Sequence, residues 1–221
     1  MIPWIQLAEA EVPDGGRLRL MRRGTEFSIM AGPIELMNSR LSGSERALAT
    51  LVCERLGPAP SVLIGGLGMG FTLRAALADL PATAGVVVAE LIPAVVAWAR
   101  EPLAHIFEGS LSDPRVTIRE ADVAELIADA KADFDAILLD VDNGPGGLSR
   151  EANDGLYSAQ GLAAASHALR PGGILAVWSS GPSSEFTSRL RRAGFQTEEV
   201  KVRANRAGKG ARHVIWLATA S

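Results

Sequence analysis

Residues Ser61 to Gly70 read SVLIGGLGMG, and the stretch that follows, FTLRAALADL, has the composition of a helix. An apolar, β-branched run that breaks into glycines and then opens a helix leaves few architectures open. It is the first strand–turn–helix of an α/β sheet. Gly66, Gly68 and Gly70 lack the Cβ atoms that would hold a ligand away from the backbone, and the helix directs its positive N-terminus at the same spot. A second apolar run, GVVVAE, ends on Glu90. A carboxylate there is placed to accept hydrogen bonds from ribose hydroxyls. These residues together predict a nucleoside-containing ligand.

The 221 residues allow one substantial α/β domain with a small appendage, and the 48% hydrophobic fraction suits a sheet covered on both faces. A net charge of −3 gives no global attraction for nucleic acid or acidic lipid, so neither partner is expected. Cys53 is the single cysteine, which excludes an intrachain disulfide; its helical surroundings predict an inert, packed thiol. No apolar stretch approaches the ~20 residues of a membrane helix. The start, MIPWIQLAEAEVPDGG, has no basic segment leading into an apolar core, so a cytoplasmic location is expected.

Residues 1–41 differ from the rest. Short alternating segments (RLRLMRRG, TEFSIMAG, PIELMN) are broken by Asp14-Gly15-Gly16, Gly24 and Gly32-Pro33, the pattern of a β-hairpin or meander. A main domain over 42–221 follows. It opens with a helix capped by Ser42 or Ser44 and ended by Gly57-Pro58. Strands are expected at 61–65, 85–90, 115–119, 134–140 and 173–178. Helices are expected at 70–80, 93–101, 122–130, 155–169 and 183–193, with Pro93 in a first turn where its missing N–H costs nothing. Such alternation implies βαβ units and a mostly parallel, doubly wound sheet.

The C-terminal end separates two cofactor classes. FQTEEVKVRA and HVIWLATA are strand-like and joined by NRAGKGAR, so a hairpin closes the sheet and one strand of it runs antiparallel. That is the outline of the class I S-adenosylmethionine (SAM)-dependent methyltransferase fold, which moves the expected ligand from NAD to SAM.

Three stretches carry a family resemblance: VLIGGLGMGFTLRAAL, FDAILLDVDNGPGGL and LYSAQGLAAASHALRPGGILAVWS. In order and spacing, from about Leu18 to Ser180, the chain resembles the spermidine synthase (polyamine aminopropyltransferase) family, which also carries a β segment ahead of its SAM-type domain. The resemblance implies that Gly66, Gly68 and Gly70 line the methionine and ribose side of the cofactor, that Glu90 holds the ribose, and that Asp122 faces the adenine amino group. Asp140 matches the family's catalytic aspartate, which takes a proton from the attacking amine. Asp142 and Asn143 follow it as further catalytic candidates or as turn formers before Gly144-Pro145. The resemblance also implies a homodimer and a small-molecule substrate.

Two departures bear on the reaction. The family's glycine loop reads GGGDG, and Met69 stands at the place of its aspartate. Decarboxylated SAM ends in an amine that such an aspartate pairs with. Intact SAM adds a carboxylate, which an aspartate ~4 Å away would oppose by ~4 kcal/mol at an effective dielectric of 20. Met69 removes that repulsion, so methyl transfer from SAM to an amine-type acceptor is expected ahead of aminopropyl transfer to a polyamine. The acids usual in the family's gating helix are also missing from SRLSGSERALA, apart from Glu45. A non-catalytic, ligand-binding subunit is the third reading.

Other residues read blandly. Asp122 also suits the N-cap of VAELIADA. His105, His167 and His213 fall on separate elements without metal spacing, so neither a metal site nor a triad is expected. Tyr157 either covers the substrate or packs in the core. The basic tail from Arg189 to Arg212 reads as a solvated hairpin rather than a nucleic-acid groove.

Overall fold

A computed structural model describes residues 2–12, 15–141, 155–205 and 210–221. The alternating N-terminal segments form a four-stranded antiparallel meander: β1 (Ile5–Glu11), β2 (Arg17–Arg23), β3 (Glu26–Ala31) and β4 (Ile34–Asn38). Gly24 turns β2 into β3 and Gly32 turns β3 into β4, both at positive φ, where a side chain would be strained. One face of the meander is apolar and packs inward through Leu18, Leu20, Phe27 and Ile29.

Helix α1 (Gly43–Cys53) leads into β5 (Ser61–Gly65), α2 (Phe71–Asp79), β6 (Gly85–Glu90), α3 (Pro93–Arg100), a short α4 (Ala104–Phe107) and β7 (Val116–Glu120). Then come α5 (Val123–Asp129), β8 (Phe134–Leu139), α6 (Ala159–Ala168), β9 (Leu169–Ser179), α7 (Ser184–Arg192), β10 (Gln196–Arg203) and β11 (Arg212–Thr219). The boundaries fall within a residue or two of those expected, with two exceptions. β9 starts at Leu169 rather than 173, and α6 starts at Ala159, where the Ser158 hydroxyl accepts from the Gly161 N–H at 3.1 Å. The expected serine cap of α1 is corrected: Ser42 holds the capping position without a side-chain bond, and the Ser44 hydroxyl is engaged elsewhere.

The seven strands are ordered β7-β6-β5-β8-β9-β11-β10. All neighbours pair in parallel except β11, which is antiparallel to both β9 and β10. This is the doubly wound, SAM-methyltransferase-like sheet with its closing hairpin. Period-two alternation sends successive residues to opposite faces. Val62 and Ile64 of β5, with Ala136 and Leu138 of β8, join the face covered by α1, α2, α3 and the meander. Leu63, Ile137 and Leu139 join the face covered by α5, α6 and α7. Full burial of a Leu or Ile side chain contributes about 1.5–3 kcal/mol, so a two-faced apolar sheet supplies a rigid platform.

The order reverses between β5 and β8, where Gly65 pairs with Leu139. Loops leaving two adjacent parallel strands in opposite directions open a crevice at their C-terminal ends. Gly66 and Asp140 are the first residues beyond those ends.

Candidate functional site

The glycine loop departs from β5 in left-handed backbone geometry, with φ of +91° at Gly66, +51° at Gly68 and +76° at Gly70. What requires glycine is more specific than ligand access. A Cβ on Gly66 would come within 2.5 Å of the Asp140 carbonyl oxygen, and one on Gly70 would collide with the Phe107 ring. Only at Gly68 is the nearest obstacle a flexible chain end, Met37 Sδ at 3.4 Å. Two of the three glycines are therefore needed to let the protein close on itself, and Gly68 is the one with room above it.

Glu90 is 8% exposed. Its Oε2 accepts the Leu67 N–H at 3.0 Å and its Oε1 accepts the Ile92 N–H at 2.9 Å. The carboxylate thus fastens the glycine loop to the end of β6. Asp122 caps α5 by accepting the Ala124 N–H at 2.8 Å. Gly66, Gly68, Glu90, Asp122 and Asp140 all line a cavity of about 490 Å3, roofed by meander residues that include Arg17, Ile34 and Leu36.

Asp140 donates its backbone N–H to Gly65 O at 3.0 Å, and its Oδ2 accepts the Thr72 hydroxyl at 2.6 Å. Burial, reinforced by the negative charge of Glu45 and opposed by the Thr72 bond, pushes its carboxyl up to about 7. A carboxyl in that range releases and accepts a proton near neutrality. Burial also raises the Glu45 carboxyl, against the hydrogen bonds it accepts from its own backbone and from Ser44.

A second cavity, of about 170 Å3, opens on the other side of Asp140 and is lined by Ser44, Glu45, Met69, Gly70, Trp178 and His213 among others. Gly68, Asp140, Leu36 and Met37 line both cavities. Met69, expected at the methionine tail of the donor, and Gly70, expected on its methionine and ribose side, belong to the wall of the smaller one, where Met69 is 4% exposed. Along that wall Ser44 Oγ donates to Glu45 Oε2 at 2.8 Å and lies 2.9 Å from His213 Nδ1. The His213 ring meets Trp178 edge-on at 4.8 Å between centroids, and burial holds its imidazole below the usual histidine range.

Sequence reasoning set His213 aside as one of three scattered histidines, and it passed over Thr72, Trp178 and the second role of Ser44. Thr72 carried a signal: a polar residue at the first turn of the helix that leaves the glycine loop. His213 carried none, because its partner lies 169 positions away. Tyr157 is core rather than substrate cover, 3% exposed and edge-on to Phe186 at 5.5 Å. Cys53 is buried and its thiol is pushed up to about 12, chiefly by burial. Asp142 and Asn143 lie outside the described residues. In the basic tail, Arg189 is taken up by Glu185 and the Tyr157 carbonyl. Among the described residues no helix is long and apolar enough to cross a membrane.

A family model for the spermine/spermidine synthase domain matches residues 44–189. The polyamine aminopropyltransferase of Mycobacterium tuberculosis is 36% identical over 147 residues, which are 62% of this chain and 27% of that protein. Polyamine aminopropyltransferase 1 of Streptomyces coelicolor is 31% identical over 155 residues, 66% of this chain and 28% of that protein. The chain therefore spans little more than a quarter of the length of these relatives. Among solved structures, spermidine synthase from Thermotoga maritima superposes with a TM-score of 0.77 at 21% identity, covering 98% of this chain and 73% of that one. The 1,6-didemethyltoxoflavin-N1-methyltransferase of Burkholderia thailandensis follows at 0.58 and 22% identity, covering 81% and 79%. At these identities the structural likeness speaks of fold alone. The family model is named for spermine/spermidine synthase and both curated relatives for aminopropyl transfer, names that side with the alternative reaction rather than with the methyl transfer expected from Met69. That expectation weighed one position of the glycine loop and left out Glu45, which shares a cavity with it.

Proposed function

The chain belongs to the spermine/spermidine synthase domain family, and on that premise we propose that it transfers an aminopropyl group from decarboxylated SAM to a small amine. The observation that carries the reading is the place of Asp140. It is the one carboxylate among the described residues that borders both the larger cavity and the smaller one.

The larger cavity fits the nucleoside part of the donor. Glu90, oriented by two backbone N–H groups, stands on the cavity wall where a ribose would lie, and Asp122 stands on the same wall for the adenine amino group. Gly66 and Gly68 bring bare backbone to the path between that wall and Asp140. The sulfonium supplies the electrophile: the amine nitrogen forms the new C–N bond as the C–S bond breaks and its electron pair returns to sulfur. Asp140 as a carboxylate draws the amine N–H toward itself, stabilises the positive charge growing on nitrogen, and receives the proton. Thr72 fixes the carboxylate's orientation. The smaller cavity, bordered by Asp140 and walled by Leu41, Phe71 and Trp178, aligns the nucleophile.

The test is product identity. Purified protein given decarboxylated SAM and a panel of mono-, di- and polyamines is expected to release methylthioadenosine. Intact SAM with the same panel is expected to release no S-adenosylhomocysteine. Release of S-adenosylhomocysteine alone overturns the reading in favour of methyl transfer. Ligand binding without either product overturns it in favour of a non-catalytic subunit.

A further inference from the structure

We infer that Glu45, held in place by Ser44 and His213, is the residue that selects a donor ending in an ammonium group, supplying the negative charge that Met69 does not carry. The inference rests on the reading of the chain as an aminopropyltransferase and names the residue that makes it one.

Met69 lies in the glycine loop, and its side chain is buried in the apolar cluster that α1, α2 and the meander share. A thioether offers an ammonium group no counter-charge, and an unpaired ammonium is costly to take out of water. Two carboxylates line the same cavity among the described residues, Asp140 and Glu45. Asp140 stands at the junction and takes the proton from the acceptor. A group that must gain a proton in each turnover is a poor permanent partner for a second cation. Glu45 has no such duty.

Glu45 is also built to stay in position. Ser44 is 1% exposed, and its one hydroxyl proton goes to Glu45 Oε2 at 2.8 Å. The 2.9 Å contact between Ser44 Oγ and His213 Nδ1 must then be His213 donating its Nδ1–H to the serine oxygen. His213, on β11, thereby pins a serine on α1, and the serine pins the carboxylate beside it. Trp178 packs edge-on against the imidazole and keeps the ring from turning. A chain of contacts from β9 through β11 to α1 thus ends on one carboxylate oxygen, which Ser44, alone of the three residues, touches. Ser44 and His213 are positioning residues, and Glu45 is the one that would touch the donor.

Equilibrium binding of decarboxylated SAM, intact SAM and methylthioadenosine to the full chain tests this without turnover. Wild-type protein is expected to prefer decarboxylated over intact SAM. Glu45→Gln is expected to lower affinity for decarboxylated SAM by roughly ten- to a hundredfold, the scale of a lost charge-assisted hydrogen bond. Binding of methylthioadenosine, which has no amine tail, should stay within a few-fold. Ser44→Ala and His213→Gln should move the donor preference in the same direction by less, an effect that a merely structural role would not produce. Any of these variants that binds methylthioadenosine like wild type yet keeps the wild-type preference overturns the inference and leaves the aminopropyl reading standing. If Glu45→Gln loses methylthioadenosine, Ser44→Ala decides. Wild-type protein that prefers intact SAM overturns both.

Discussion

The larger cavity takes its glycines and carboxylates from places the sheet brings together: the loop after β5, the end of β6, the cap of α5 and the end of β8. The smaller cavity gathers Ser44 and Glu45 from α1, Trp178 from β9 and His213 from β11. The first is a property of the sheet. Any chain with this strand order brings those ends together, and the residues there need only be of the right kind. The second is a property of packing, since α1 must lie across the sheet before its serine meets the histidine. On the proposed reading, recognition of the donor's nucleoside is thus tied to topology, and recognition of its amine tail and of the acceptor to tertiary contact.

Asp140 joins the two, and disabling it separates them most sharply. Asp140→Asn keeps size and shape but cannot accept the proton. Methylthioadenosine release is expected to fall by roughly 10²–10⁴-fold, while methylthioadenosine binding, measured by calorimetry, changes by no more than a few-fold. Comparable losses in both would mean that the aspartate serves the nucleoside side alone.

Next in size is Glu90→Ala, expected to weaken donor binding by about 1–3 kcal/mol. The Leu67 and Ile92 N–H groups lose their acceptors in the same variant, so the thermal midpoint without ligand should fall as well. An unchanged midpoint with reduced affinity would show that the loop holds its shape without the carboxylate.

A smaller effect is the pH response. Turnover with saturating donor should rise as pH passes through about 7, where Asp140 becomes a carboxylate. Stability should run the other way. Because the folded-state pKa lies above the unfolded one, the native state holds a proton between about 4 and 7 that the unfolded chain has released. Stability therefore declines as pH climbs through that window. Glu45→Gln removes the like charge, so both the activity limb and the stability decline should move to lower pH; midpoints that stay put would uncouple the two acids.

The smallest is Asp122→Asn. Asparagine caps a helix about as well as aspartate, so the melting temperature should hold. Donor affinity should drop several-fold if the carboxylate also meets the adenine amino group. An unchanged affinity would leave Asp122 with the cap alone.

The same contrast governs what could be read from the sequence. The doubly wound sheet, its closing antiparallel strand and the glycine loop were legible because each rests on local periodicity or on residues a few positions apart. Glu90, Asp122 and Asp140 were legible as strand-end and loop-end acids for the same reason. The glycines stand on the loop after β5 as expected, and the structure adds a cause the sequence did not show: Gly66 and Gly70 let the backbone close against Asp140 and Phe107. Ser44 read as a helix cap because its neighbours in sequence make it one, and only the fold of β11 against α1 shows it turned toward His213. Met69 gave the reaction order a physical argument that was sound for one position. Electrostatics sums over a cavity, however, and Glu45 enters that sum only once α1 is in place.

Leu36 and Met37 of β4 border both cavities. The meander is therefore a shared wall, and the partition between the two chambers depends on a strand that bears none of the proposed acids. Without that strand the two chambers would merge into one open trench, with the sheet and its carboxylates intact beneath. A nucleophile there would lose its confinement and water would reach the sulfonium. The same logic gives an engineering handle: exchanging the two side chains at 36 and 37 redraws both chambers from the meander side, leaving the acids at the strand ends in place.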